Sequence, residues 1–182
     1  ATEETFRIAQ RTRSSWEGTV QVYQRFAQNA QRLKLSQEQV ARATETMGKA
    51  VALSGASAGA AQAAMVQFGQ ALASGVLRGD EFNSMAENTP AVMDAMARGL
   101  GVSRGELRAM AADGKLTAEA VTQALLRVSD SVDADFAKTQ ATVGQAFQSF
   151  NDSLTKFAGE ADKATGVSRA LAEMLLTAGK HI

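Results

Sequence analysis

Residues 36–57 read SQEQVARATETMGKAVALSGAS. The stretch decides the fold class because it holds a whole helix together with its start and stop signals. Ser36 followed three places on by Gln39 is a capping box, in which each side chain satisfies a backbone N–H that the first helical turn leaves unpaired. The spacing predicts a helix from Gln37 to about Leu53, and Ser57 then caps a second, very small-faced helix through about Ala73. The same grammar continues downstream. Gly75 and Gly79 bracket a turn, and Asp80 caps a short helix through Phe82 and Met85. Thr89 followed by Pro90 at the first helical position starts another, ending near Gly99 or Gly101. Ser103 with Glu106 is a second capping box, Asp113–Gly114 ends that helix, and Thr117 caps the last major element. So many starts and stops between residues 36 and 117 describe a compact cluster of short helices.

The flanks have a different texture. Phe6, Ala9, Arg13, Trp16, Val20, Tyr23, Ala27 and Ala30 step by three or four, the spacing of one helical seam with Arg13 as its charged interruption. Gln10, Gln21, Gln24, Gln28 and Gln31 coat the other faces. Beyond Thr117, Val121, Leu125, Val128, Val132, Phe136, Thr139, Val143, Phe147, Phe150, Leu154, Phe157, Ala161 and Ala164 keep the same step. From Phe147 it is a strict heptad that runs on through Ser168, Leu171, Leu175 and Ala178, weakened at Gly166. At 1.5 Å per residue, Thr117 to Thr165 makes a rod of roughly 70 Å. A rod with one apolar stripe needs a partner, so the two long helices are expected to pair with each other or with other copies of the chain.

Composition agrees with helices and excludes much else. Of 182 residues, 36 are Ala and only 46 carry a larger apolar side chain, with one Pro and two Ile. That supply suits helices packed closely through small side chains and argues against an all-β sandwich or barrel. No Cys is present, and the single His, His181, sits beside the end of the sequence. A disulfide framework, a thiolate metal site and a cysteine nucleophile are thereby excluded, and a Ser–His dyad nearly so. Charge balances at 19 basic and 19 acidic residues, and the first 35 residues carry only a +3 excess. This is too weak for a phosphate-contacting surface, so no sequence-specific nucleic acid is expected.

The motifs of catalysis fail one by one. Gly55–Gly59 and Gly101–Gly105 match the hydrolase pattern G-x-S-x-G, but no strand precedes either and Ser57 and Ser103 are better helix caps. Asp113–Gly114 resembles the middle of a calcium loop, yet Ala109, Ala111 and Ala120 stand where oxygen ligands belong. None of the three Gly-Lys pairs is followed by Ser or Thr, so there is no phosphate-binding loop. Asp80, Glu81 and Glu87 lie close together and could supply an acid pair for general catalysis, against their ordinary role as dipole partners near helix starts. Residues 50–77 carry no charge and are long enough to span a bilayer, but are rich in Ala with interspersed Gly, Ser and Gln.

The middle of the chain resembles a known family. Residues 50–57 (AVALSGAS) and 67–84 (QFGQALASGVLRGDEFNS), then Glu87–Pro90, Leu100–Val102, Gly105–Arg108 and Ala112–Glu119, look like the tape-measure domain of long-tailed phages and prophages. The likeness covers roughly residues 33–127. It implies a structural virion protein of the tail lumen, made in the bacterial host cytoplasm, that takes part in tail assembly, tail length determination and DNA ejection. Its implied partners are tail tube, tail initiator or tail assembly chaperone proteins, with self-association through the long helices and membrane contact only conditionally, during ejection. Fully helical, the chain would reach about 270 Å, too short for a whole ruler, so it is expected to be one domain of a longer protein.

The expectation is an all-α, elongated and non-enzymatic chain. A long amphipathic helix (1–35) and a long C-terminal helix (118–182, broken near 166) flank a compact small-residue-rich cluster (36–117). Trp16, Val20, Tyr23, Phe136, Phe147, Phe150, Leu154 and Phe157 are the expected protein-contact residues. Gly79, Asp80, Glu81, Phe82 and Asn83 form the expected constrained turn, whose plainer reading is that it packs the cluster. No catalytic residue, cofactor or metal ligand is expected. The rival functions are a peptidoglycan hydrolase module centred on the acids near Asp80 and a membrane-active translocation domain.

Overall fold

A computed structural model describes residues 2–139 and 143–162, and among them the chain is all-helical apart from one isolated β-bridge. The helices are α1 (Thr2–Thr12), α2 (Trp16–Asn29), α3 (Gln37–Leu53), α4 (Ala58–Ser74) and α5 (Gly79–Asn88). There follow α6 (Pro90–Leu100), α7 (Arg104–Ala112), α8 (Ala118–Arg127), α9 (Ser129–Ala137) and α10 (Val143–Asp162).

The central starts and stops lie where the caps put them. Ser36 and Gln39 form the reciprocal box that opens α3, and Ser103 and Glu106 form the one that opens α7. Ser57 and Thr117 accept from the backbone N–H groups of Ala60 and Ala120. Pro90 opens α6, and Gly101 closes it at φ +69°, a left-handed conformation that glycine adopts without cost. The start of α5 differs. Its cap is Arg78, whose backbone N–H donates to Glu81 at 2.8 Å, so Gly79 to Asn83 are the first turn of a helix. The true turn lies just before it, where Leu77 donates to the Leu116 carbonyl and Ala118 to that of Gly75, tying two connectors together.

α3 is the axis of the packing. Val40, Ala43, Met47, Ala50 and Val51 are buried along it, and it touches α1, α2, α4, α6, α8 and α9. Helices crowd it because its side chains are small: a Cβ added at Gly48 would lie 2.9 Å from Thr12 of α1. Its buried Thr44 and Thr46 donate back to the carbonyls of Val40 and Arg42, so these hydroxyls need no partner from another helix. One apolar core then runs from Ile8 to Val132, with Phe26 against Phe68 and with Met47, Met65, Met85, Met93 and Met96 filling its irregular gaps.

The two long flanking helices are not present as such. The first is divided at Arg13–Ser15. Arg13 takes φ +55°, which turns the chain, and Ser15 caps α2 by accepting from the Gly18 N–H. Breaking the helix resets its phase. The buried face of α2 is Gly18, Thr19, Val22, Tyr23 and Phe26, whereas Val20 is half-buried and Ala27 exposed. The last long helix is likewise divided into α8, α9 and α10. The break at Val128 (φ −95°, ψ 2°) has no Gly or Pro and arises from two docking demands. α8 must press on α6, where a Cβ added at Gly99 would lie 2.3 Å from the Ala124 carbonyl oxygen. α9 must instead lie along α3. Residues 163–182, which include the heptad from Ala164 to Ala178 and the break near 166, lie outside the described residues.

The α6–α8 approach tests the packing. Gly99→Ala should lower stability by about 2 kcal/mol in urea unfolding, because the contacted atoms are backbone and cannot step aside. Gly59→Ala in α4, with open space around it, should be neutral or slightly stabilising. Equal losses at both sites would refute the tight crossing.

Candidate protein-contact surfaces

Arg13, the interruption in the first seam, turns out to be a latch. Its left-handed backbone aims the guanidinium at the end of α9. There it stacks 4.4 Å over the Phe136 ring and donates to the Thr139 hydroxyl at 3.1 Å and the Thr139 carbonyl at 3.2 Å. The Lys49 ammonium stands 5.8 Å from the same ring. Phe136 is therefore 8% exposed and serves the interior, not an outside partner.

Beside it a charge ladder binds α1, α3 and α9. Arg11 meets Glu45 at 3.0 Å, Lys49 bridges Glu45 and Asp133 at 2.7 Å each, and Arg42 spans Asp133 at 2.7 Å and Asp130 at 2.8 Å. Burial alone would raise the pKa of Asp133. The hydrogen bonds and charges of Lys49 and Arg42 together outweigh it and hold the carboxyl below the usual range.

α10 lies across the α1–α2 junction, antiparallel to α1. The Gln10 amide donates to the Ser149 carbonyl at 3.1 Å, and Lys156 meets Glu3 at 2.7 Å and sits 4.3 Å over Phe6. Asp152, 7% exposed, accepts from the Trp16 N–H at 2.9 Å and so caps α2 from far along the chain. Trp16 is half-buried, edge-on to Phe6 and bonded through its indole N–H to Thr5. The terminal segments do meet, but through polar groups. In heptad terms Ser149, Asp152 and Lys156 occupy the c and f positions, opposite the a/d seam of Phe150, Leu154 and Phe157. Phe150 and Phe157 are 60% and 56% exposed, and Leu154 is half-buried. Phe147 lies on the same heptad in sequence, but its side chain is outside the described residues.

The predicted contact residues thus separate. Phe150, Leu154 and Phe157 share an outward face; Tyr23 and Phe136 are core; Trp16 and Val20 line the α2 end of the interior. Sequence reasoning missed Asp152, whose cap partner is 136 residues away, and Phe26, which lies beside the expected seam and was not counted in it.

A family model described as tape measure protein matches residues 1–163. The chain belongs to the tape measure protein family. No curated protein and no solved structure matches it. Tape-measure proteins are structural components of phage tails. Asp80 and Glu87 are exposed, and Glu81 is spent on the α5 cap. Among the described residues no group of side chains is arranged to hold a metal ion. None of the described helices is long and apolar enough to cross a membrane, and the uncharged run 50–77 is divided between α3 and α4.

The ladder makes stability depend on acid. A carboxyl with a depressed folded pKa contributes stability above its unfolded value and loses it as pH falls through the folded one. Unfolding monitored by circular dichroism should therefore show a falling melting temperature from about pH 4 downward. Asp133→Asn should flatten that slope and cost roughly 1 kcal/mol at neutral pH, a value discounted because a third of the side chain meets water. An unchanged slope would remove Asp133 from the account.

Proposed function

We propose that this tape-measure domain is a non-enzymatic contact module of the tail lumen. In this reading the body of α1–α9 is a folded head that meets tail tube, initiator or chaperone subunits, and α10 begins the length-determining rod. The observation that carries it is the orientation of α10. The helix is held to the body by its polar face and turns its aromatic heptad seam, Phe150–Leu154–Phe157, to the outside. Phenylalanines left in water on a heptad spacing fit another helix, so the seam is the surface for self-association along the rod. The body suits anchoring more than measuring, since helices folded back on one another give little length per residue. Passage of the chain ahead of DNA during ejection is consistent with a domain whose segments are joined without disulfides.

Two experiments test this. Inserting two tandem copies of residues 149–162 directly after Asp162 keeps every contact of α10 and adds four heptads. Tails carrying the altered protein, measured by negative-stain microscopy, should be longer by about 42 Å. Tails of unchanged length would end the ruler role of α10. Separately, Phe150→Glu with Phe157→Glu should abolish concentration-dependent association in sedimentation equilibrium while leaving the melting temperature within about 1 °C, because both side chains are exposed. A wild-type chain that stays monomeric at high concentration would sink the seam as a self-contact.

A further inference from the structure

A second surface lies away from α10, where α5, α6 and α7 enclose a cleft of about 270 Å³. Phe82, Ala86 and Met93 form its apolar floor. Arg104 makes one wall and is fixed there: its guanidinium grips Asp94 with two N–H groups, one at 2.6 Å, and donates to the Pro90 carbonyl at 3.1 Å. Gly105 borders the cleft in the first turn of α7 and has neither a left-handed backbone nor a crowding neighbour, since an added Cβ would meet only the Ser103 hydroxyl at 3.9 Å. Glycine costs a helix stability relative to alanine. Nothing in the packing of α7 calls for that cost, and its effect is to leave the cleft open.

Two charges flank the opening, Arg108 on α7 and Glu87 on α5. Both are exposed, and neither has an ion-pair or hydrogen-bond partner among the described residues. The geometry points to a docking site for a segment of another protein that inserts one apolar side chain between a carboxylate facing Arg108 and an ammonium facing Glu87. A buried apolar anchor supplies most of the affinity in such a pocket, and the rim charges set orientation. Among its described residues, a second copy of this chain presents no such segment. Its exposed large apolar side chains among the described residues are Phe150 and Phe157. Phe150 stands between Ser149 and Asn151, and the neighbour of Phe157, Lys156, is already held by Glu3 and Phe6. The site stands apart from the α10 seam and from any role in tail length.

The test titrates the chain with a capped peptide bearing one leucine between a glutamate and a lysine, following the Met93 methyl signal by NMR. A saturable shift with a midpoint below about 1 mM is expected. Gly105→Leu should erase it without lowering the melting temperature, because leucine is the better helix former and has room to fill the cleft. Arg108→Glu should weaken binding about fivefold at low salt. No saturable shift, or a shift that survives Gly105→Leu, would overturn the site. So would a Met93 shift that grows with protein concentration in the absence of peptide, which would make the cleft a contact between copies.

Discussion

Everything in this domain leans on the burial of α3. A helix surrounded by six others has to be thin, and this one is: Ala43, Gly48 and Ala50 let neighbouring helices approach, with the Thr12 side chain against Gly48. A thin helix offers little apolar area, so size is recovered from the helices around it, through Phe26, Phe68 and the core methionines. It also leaves polar groups to satisfy. Thr44 and Thr46 do this locally. Glu45 and Lys49, on the side toward α1 and α9, do it by building the charge ladder, which ties α9 to α3 beside the apolar contact of Val132.

That arrangement explains why some of the fold was legible in the sequence and some was not. Caps are local, needing only a hydroxyl or carboxylate three residues from a free N–H, so Ser36, Ser57, Ser103 and Thr117 could be read directly. Breaks without Gly or Pro are not local. The apolar step through Arg13 reads as one unbroken helix. What divides the helix there is Arg13's attachment to Phe136 and Thr139, 126 residues away in the case of the threonine. Val128 is the same problem, since the pull of α6 on one side and α3 on the other leaves no mark in the residues that bend.

Of the candidate surfaces, the outer seam was the most legible and the cleft the least. A heptad is a one-dimensional pattern, and Phe150, Leu154 and Phe157 announce themselves by spacing alone. Which side of α10 the body would occupy was not readable, because the answer depends on Asp152 finding the open N-terminus of α2. The cleft requires α5, α6 and α7 to converge, and its clearest sequence mark is a glycine at position 105 whose purpose appears only when its surroundings are seen to be empty.

The energetics of α10 decide how its two faces share the work. On the inner face the strong tether is Asp152, buried and charge-assisted, worth about 1.5–3 kcal/mol, while the Glu3–Lys156 pair is open to water and screened by salt. On the outer face, covering what two phenylalanines and a leucine leave exposed would contribute roughly 3–5 kcal/mol before the cost of association. The inner contacts are therefore sufficient to orient the helix and insufficient to make it part of the core. A helix held in this way keeps its seam available without a rearrangement of the body, and a partner on the seam need not compete with the polar contacts, since the two occupy opposite faces. The same body can then remain folded whether α10 stands alone or has been joined along its length.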